Sequence, residues 1–205
     1  MNEFEKGLLQ YLDEKALCFI GKQKIGILGA GGLGSNCAFN LVRCGFKRFI
    51  IVDFDRVDAS NLNRQFYFID QIGKFKTEAL RENLLKINPD IEIELINKKI
   101  DSKTDFQLFV GCDAVIEGFD NSFYKKSAAE FFINKNIFLV CGSGIAGYGK
   151  SDEIKTRQIR DLFFMAGDFK TGVDDKNYPY SPCVNITAAK QADIVFSWFL
   201  LKGGF

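Results

Sequence analysis

The 205-residue chain contains no histidine, and this absence excludes several kinds of active site. Without an imidazole there is no Ser-His-Asp triad, no Cys-His pair and no histidine-ligated zinc. Any reaction of this chain must therefore proceed without a histidine base.

Paired cysteines are also missing, because none of the cysteines forms a C-x-x-C motif. The cysteines lie at positions 18, 37, 44, 112, 141 and 183. Most lie within or beside apolar segments, where a free cysteine is usually a small buried hydrophobe. We therefore expect neither a disulfide framework nor a structural zinc site.

Long apolar runs and a strong net charge are absent as well. The longest apolar runs are far too short to span a bilayer, and charges throughout the first residues argue against a signal peptide. A net charge of +1 does not argue for a surface that binds nucleic acid or an anionic membrane. We expect a cytoplasmic protein with no nucleic acid and no membrane among its partners.

What is present is an alternation of apolar strands and amphipathic helices. Strands are predicted at 24–29, 49–53, 91–96, 113–116 and 138–141, and helices at 35–44, 77–87 and 123–134. This alternation predicts an α/β fold, a doubly wound, mostly parallel Rossmann-like sheet with strand order 3-2-1-4 over a core at 22–141.

The remaining segments complete one expected domain over residues 1–205. A helix is predicted at 3–18, before the core. In 142–205 we expect an antiparallel hairpin (154–159 and 162–165), a polar, mobile crossover loop (168–183) and a final helix (186–201).

The stretch GAGGLGSN at 29–36 directly follows the first apolar strand. Its glycines fit G-x-G-x-x-G, and Asp53 follows Gly34 by nineteen residues, a common place for an acid that binds a ribose. Asp53, Asp55 and Asp120 also end strands that neighbour one another in the predicted sheet. The pattern predicts a nucleotide cleft but leaves open whether the nucleotide is NAD.

The next motifs carry a resemblance to a known family. These are VDFDRVDASNLNRQF (52–66), GKFK (73–76) and the Asp120-Asn121 pair, all in order after the glycine turn. Together they resemble the ThiF/MoeB/HesA family, which is related to ubiquitin-activating enzymes. The resemblance is dense over 22–121 and looser through CGSGIAGYG to the final helix. The short, zinc-free form looks most like the compact ThiF-like proteins of thiamine biosynthesis.

The resemblance implies ATP- and Mg²⁺-dependent adenylation of the C-terminal glycine carboxylate of a ThiS-like sulfur-carrier protein, with release of pyrophosphate. It implies Asp53 on the ribose, Asn61, Arg64 and Lys76 on phosphates, and Asp120 as the magnesium ligand. Arg64, Lys76 and Asp120 are the implied catalytic residues. The full set of implied nucleotide-binding residues is Gly29, Gly31, Gly32, Gly34, Asp53, Asp55, Asn61, Arg64, Gln65 and Lys76.

The residue chemistry agrees with ATP better than with NAD. Arg64 offers a planar fork for phosphate oxygens, Lys76 offers a point charge, and Asp120 offers a carboxylate for a metal that a nicotinamide cofactor would not require. A carboxylate acceptor is ionised at neutral pH and needs no general base, which suits a chain without histidine.

Structural interpretations of the same residues remain open. Asp55 and Asp58 are alternatively solvated loop acids, and Arg64 and Lys76 alternatively form structural salt bridges. Asp120 is alternatively the N-cap of the helix that follows it.

Three departures from the family pattern affect the implied partners. There are no C-x-x-C pairs, so no zinc is expected. The resemblance implies a homodimer, and in many relatives an N-terminal arginine reaches the ATP of the partner subunit. No arginine precedes Arg43 here, so the chain departs from the pattern at that contact; Lys6 and Lys15 are weak substitutes. Cys183, at the end of the crossover loop, is a candidate nucleophile or a packed thiol.

Two other functions remain as alternatives. One is a tRNA-modifying relative that adenylates a carboxylate on a modified adenosine, although the basic residues cluster only in short pairs such as Lys98-Lys99 and Lys125-Lys126. The other is a nucleotide-sensing domain without catalysis, which would not need Arg64, Lys76 and Asp120 together.

Overall fold

The computed structural model describes residues 1–100, 102–172 and 177–205. A seven-stranded sheet lies at the centre of this part of the chain. Its strands are β1 (Lys24–Leu28), β2 (Arg48–Val52), β3 (Glu92–Ile96), β4 (Ala114–Glu117), β5 (Phe138–Gly142), β6 (Lys155–Arg160) and β7 (Phe163–Gly167).

The strand order is β3-β2-β1-β4-β5-β7-β6, and every neighbouring pair is parallel except β6 and β7. This confirms the predicted doubly wound fold, the order 3-2-1-4 and the late antiparallel hairpin. The central strands are buried on both faces, which explains their continuous apolar sequences. At the edges, β3 is half-exposed and β6 is fully exposed.

Helices cover both faces of the sheet. They are α1 (Glu3–Leu8), α2 (Glu14–Gly21), α3 (Gly32–Arg43), α4 (Lys76–Leu85), α5 (Ser122–Phe132) and α6 (Ser181–Gly203). One apolar core joins α2, α3, α4 and α6 to one face, and a second core joins α5 and the short 3₁₀ segment Asp105–Phe109 to the other. In the described part of the chain, no helix is both long and apolar enough to cross a bilayer.

The predicted single helix at 3–18 is wrong, because the segment forms two helices with a break after Leu8. Asp13 ends the break: its side chain accepts hydrogen bonds from the Lys15 and Ala16 N–H groups at 2.7 and 3.4 Å and so caps α2. An N-cap aspartate starts a new helix even where the apolar spacing continues unbroken.

The predicted loop at 168–183 is also partly wrong. Its last three residues belong to α6, which begins at Ser181 with Pro182 in the first turn, where a proline costs no hydrogen bond. At the other end of the loop, the Asp168 carboxylate accepts the N–H groups of Lys170 and Thr171 at 2.8 and 2.9 Å. The part of the prediction that covers 173–176 lies outside the described residues.

Candidate nucleotide-binding site

A cavity of about 500 Å³ opens at the carboxyl ends of the parallel strands. Each strand from β1 to β5 is followed by a segment that lines it. A doubly wound sheet places its ligand at this edge, where the chain switches direction between β1 and β4. The strand-following segments contribute Gly29, Gly31, Gly32, Asp53–Asp55, Lys98–Ile100, Gly118–Ser122 and Gly142–Ile145.

The glycine turn brings backbone rather than side chains to the cavity wall. Gly29 has φ +87°, in the left-handed region, and a Cβ on Gly34 would lie 1.9 Å from the Gly29 carbonyl oxygen. The turn leads directly into α3, whose N-cap is Gly31, and no side chain caps that helix. The N–H groups of its first turn are therefore available to an anion, with the positive end of the helix dipole behind them.

Asp53 is held between this turn and the loop after β2. Its Oδ2 accepts the Ala30 N–H at 2.6 Å, and its Oδ1 accepts the Asp55 N–H at 2.8 Å. Burial raises the pKa of Asp53, and the charge of Lys76 opposes that shift. A fixed carboxylate at the cavity wall is an acceptor suited to hydroxyl donors such as those of a ribose.

Lys76 forms an ion pair with Asp55 inside the cavity. Its Nζ donates to Asp55 Oδ2 at 2.7 Å; the lysine side chain is only 8% exposed, whereas that of Asp55 is 45% exposed. Asp55 is thus partnered rather than a purely solvated loop acid. The Tyr67 hydroxyl, 2.6 Å from the Ala30 carbonyl oxygen and 3.2 Å from that of Lys76, links the glycine turn to the start of α4.

The segment 64–66 is fixed by side chains of α3. Asn36 Nδ2 donates to the Arg64 carbonyl oxygen at 2.8 Å, and Ser35 Oγ accepts the Phe66 N–H at 3.0 Å. Arg64 lines the cavity, and its guanidinium donates to its own loop, to Asn63 Oδ1 at 2.7 Å. Burial lowers the pKa of Arg64, and the charge of Asp120 opposes that shift.

The resemblance implies that Gln65 and Asn61 both bind the nucleotide, but only one of them lies at the cavity. Gln65 lines the cavity, and its buried Oε1 has no hydrogen-bond partner within the described structure. An orphaned buried acceptor at a cavity wall fits a ligand or water that donates to it. Asn61 does not line the cavity; its side chain accepts the Asp58 N–H at 3.1 Å and closes a capping box there.

Asp120 lines the cavity after β4, and it is not the cap of the following helix. Asn121 caps α5, with its Oδ1 accepting the Phe123 N–H at 2.8 Å, so the N-cap interpretation of Asp120 is wrong. Among the described residues, no group of three or more histidine, cysteine or acidic side chains is placed to hold a metal. An exposed carboxylate beside a phosphate site nevertheless fits Mg²⁺, which commonly binds one or two carboxylates together with substrate phosphates.

Comparison with known proteins places the chain in a family. The model of the ThiF family matches residues 6–193. The chain belongs to the ThiF family. This membership confirms the resemblance carried by the motifs between Gly29 and Asn121.

Curated relatives match this ThiF-family chain over part of its length. Ubiquitin-like modifier-activating enzyme 5 of Caenorhabditis elegans is 41% identical over 91 residues, and that of Oryza sativa subsp. japonica is 41% identical over 87. These matches cover 44% and 42% of this chain but only 22% and 21% of the relatives. The chain thus matches about a fifth of the length of these relatives.

Solved structures match over almost the whole chain. The E. coli tRNA N6-threonylcarbamoyladenosine dehydratase in complex with ATP has a TM-score of 0.87 at 21% identity, covering 98% of this chain and 95% of that one. E. coli MccB with ATP has a TM-score of 0.73 at 24% identity, covering 92% and 58%. At these identities the likeness shows the shared fold.

Cys183, the candidate nucleophile, lies in the first turn of α6 and is buried. Its neighbour Val184 lines the cavity, but Cys183 itself is not among the lining residues. A nucleophilic cysteine is usually partly exposed in an electropositive environment, and this position offers neither exposure nor a place on the cavity wall.

Several cavity residues were missed by sequence reasoning. Lys98 and Lys99 follow β3, Phe54 follows Asp53, and Lys125 reaches the cavity from α5. In sequence reasoning, the two lysine pairs counted only as a sign of a basic face for RNA. The position of Lys98 and Lys99 directly after a predicted strand, at the carboxyl edge of the sheet, was the signal that could have identified them.

Proposed function

We propose that this ThiF-family chain is an adenylyltransferase that activates the C-terminal glycine carboxylate of a ThiS-like sulfur-carrier protein, using ATP and Mg²⁺, in thiamine biosynthesis. The observation that carries the proposal is the composition of one cavity. It combines an uncapped helix N-terminus at a glycine turn with a fixed carboxylate, Asp53, and with the charged groups of Arg64, Lys76 and Asp120.

In this proposal the polar groups divide by the part of ATP that they suit. The first turn of α3 and the cations of Arg64 and Lys76 suit phosphate oxygens, and Asp53 suits the ribose hydroxyls. Asp120 is the residue that would hold Mg²⁺, which when bound supplies positive charge against the phosphates. The Asp55–Lys76 pair gives Lys76 a defined place before the nucleotide arrives.

The chemistry then requires positioning rather than a base. The acceptor carboxylate is ionised at neutral pH, so its oxygen attacks the α-phosphorus directly and pyrophosphate leaves. Arg64 and Lys76 offset the charge that develops on the phosphate oxygens, in a cavity that is partly shielded from water. A chain without histidine is adequate for this reaction, whereas acyl hydrolysis by a catalytic triad is not available to it.

The acceptor arm of the cavity is formed by the segment after β5 and by the start of the crossover. Ser143–Ile145, Thr171 and Gly172 line this arm. Asp168 Oδ2 accepts the Thr171 hydroxyl at 2.7 Å, and Thr171 Oγ1 accepts the Ala146 N–H at 3.2 Å, so the two segments are tied together. Gly144 and Gly172 have no side chains, and those of Ser143 and Thr171 are small, which suits a narrow, extended glycine tail.

The test is ATP–pyrophosphate exchange with a purified ThiS-like carrier that ends in two glycines. We expect exchange that requires both Mg²⁺ and the intact carrier, and none with the same carrier lacking its last glycine. Exchange or ATP turnover that depends on tRNA instead would favour the tRNA-modifying alternative. Nucleotide binding without exchange under either condition would favour the sensor.

A further inference from the structure

Lys125 lines the nucleotide cavity, yet its ammonium group already has a full set of partners within the chain. Its Nζ lies 3.1 Å from each carboxylate oxygen of Glu117 and 3.0 Å from the Gly142 carbonyl oxygen. An ammonium group has three hydrogens, and these three acceptors match them in number. Lys125 therefore has a different role from a cation that is available to a phosphate.

The ammonium group of Lys125 balances the buried negative charge of Glu117. Glu117 is the last residue of β4, it is completely buried, and its Oε1 also accepts the Phe119 N–H at 2.6 Å. Burial raises the pKa of Glu117, and the charge of Lys125 opposes that shift. A buried carboxylate that loses its cation is strongly destabilised, so the pair acts as one unit.

The ion pair joins the two walls of the cavity. Phe119, held by Glu117, directly precedes Asp120 on one wall, and Gly142, held by Lys125, directly precedes the segment 143–145 on the other. From the opposite face of the sheet, Gln191 Nε2 donates to the carbonyl oxygens of Glu117 and Val140 at 3.1 and 3.3 Å. The ends of β4 and β5 are thus fixed from both sides.

We propose that Lys125 is a positioning residue for adenylation: through Glu117 and the Gly142 carbonyl, it sets the spacing between the loop that carries Asp120 and the loop 142–145. This inference rests on the proposed function, in which the nucleotide lies against the first loop and the acceptor carboxylate against the second. A small change in this spacing separates the reacting atoms without removing any ligand of ATP.

The matched pair of variants is Lys125→Met and Lys126→Met. Lys126 is the next residue of α5 and is exposed. Its Nζ lies 3.9 Å from Glu130 Oε1, and Lys126 is not among the cavity-lining residues. In carrier-dependent exchange, we expect Lys125→Met to lower kcat by about tenfold or more. We expect it to change the KM for ATP by less than about threefold, and Lys126→Met to change neither. Lys125→Arg should recover most of the kcat, because a guanidinium can pair with a carboxylate through two parallel hydrogen bonds.

The variant Lys125→Met leaves a buried carboxylate unpaired, so the double variant Glu117→Gln/Lys125→Met provides a second test with no buried charge. It should keep a cooperative thermal transition and show the same loss of kcat. A rise in the KM for ATP with an unchanged kcat would instead make Lys125 a phosphate ligand and overturn the proposal.

Hydrogen–deuterium exchange of the chain alone tests this inference without relying on the proposed activity. We expect faster exchange in the segments 118–122 and 142–146 of Lys125→Met and unchanged exchange in Lys126→Met. If the wild type shows no carrier-dependent pyrophosphate exchange, the proposed function fails, and the hydrogen exchange still decides whether Lys125 fixes both loops. Unchanged exchange in both segments would refute the positioning role.

Discussion

At the scale of single residues, several charged side chains that line the cavity already have partners within the protein. Lys76 holds Asp55, Arg64 donates to its own loop, and Lys125 holds Glu117. A bound triphosphate would offer Arg64 and Lys76 stronger, doubly charged partners than the ones that they have. These two side chains are therefore the ones that we expect to change partners when the nucleotide binds.

Replacement of Arg64 by alanine tests its role in the reaction. We expect Arg64→Ala to lower kcat for carrier-dependent pyrophosphate exchange by roughly two to three orders of magnitude, as when one donor to a developing charge is removed. Arg81→Ala, at an exposed position on α4, is the control and should retain activity. A rise in the KM for ATP alone would make Arg64 a ground-state ligand.

The variant Asp120→Asn, which replaces the carboxylate with an amide, tests the role of Asp120. Asp120→Asn keeps the size of the side chain and leaves the Asn121 cap of α5 intact, so we expect a normal thermal transition. Magnesium-dependent exchange should nevertheless be lost, because the anchoring carboxylate is gone. Asp161→Asn, in the exposed turn between β6 and β7, should behave as the wild type. Full activity in Asp120→Asn would remove Asp120 from the site.

Cys183 is tested by conjugate formation. Because this thiol is buried and lies off the cavity wall, we expect Cys183→Ser to leave adenylation nearly intact. Intact mass spectrometry of enzyme, carrier, ATP and Mg²⁺ should show no conjugate that dithiothreitol releases. A conjugate that Cys183→Ser lacks, but that the exposed control Cys18→Ser retains, would make Cys183 a nucleophile.

At the scale of elements, the glycine-rich motif before α3 contains one glycine that we expect to matter for stability and another that we expect to matter for ATP binding. A Cβ on Gly34 would lie 1.9 Å from the Gly29 carbonyl oxygen, whereas the nearest atom to a Cβ on Gly31, the Gly118 carbonyl oxygen, would be 4.0 Å away. Both glycines belong to the same glycine-rich motif, Gly31 as the N-cap of α3 and Gly34 within its first turn, but of the two only Gly31 lines the cavity. Their alanine variants form a natural pair.

We expect Gly34→Ala to destabilise the fold by roughly 1–3 kcal/mol or more, because backbone has to move to admit the methyl group. Gly31→Ala should keep the wild-type melting temperature but weaken ATP binding by about tenfold or more, because the methyl group occupies the place where phosphate approaches backbone. Calorimetry of unfolding and of ATP binding measures both. Equal loss of stability in the two variants would contradict this division.

Elements whose signals are local could be predicted from the sequence. The strands, the glycine turn and Asp53 follow from apolar runs and fixed spacing, and the motifs predicted roles for Arg64, Lys76 and Asp120, which all line the cavity. The break before Asp13 was missed because helical spacing continues across it. Lys125 was missed because a lysine in a surface helix gains its role only from Glu117, which tertiary folding brings to it.

At the scale of the whole molecule, the cavity is assembled from segments that span the described chain, from Gly29 to Val184. The carboxyl ends of the parallel strands gather these distant segments at one edge, which explains why one site can use residues so far apart. The homodimer stays a prediction. So does the single-domain organisation.

The metal content of the whole protein is a separate prediction. With no histidine and no C-x-x-C pair, we expect elemental analysis of the purified chain to find no stoichiometric zinc. A chain treated with a zinc chelator should melt at the same temperature as the untreated chain. One tightly held zinc per chain, or unfolding on chelation, would show that the scattered cysteines bind a structural zinc and would contradict the prediction.

The most direct test of the central claim is the mass of the carrier after reaction. The chain, ATP, Mg²⁺ and a ThiS-like carrier ending in two glycines are mixed and examined by intact mass spectrometry. We predict a carrier that is heavier by one AMP, formed together with pyrophosphate, and absent when Asp120→Asn replaces the wild type. A carrier of unchanged mass, under conditions in which the chain binds ATP, would contradict the account.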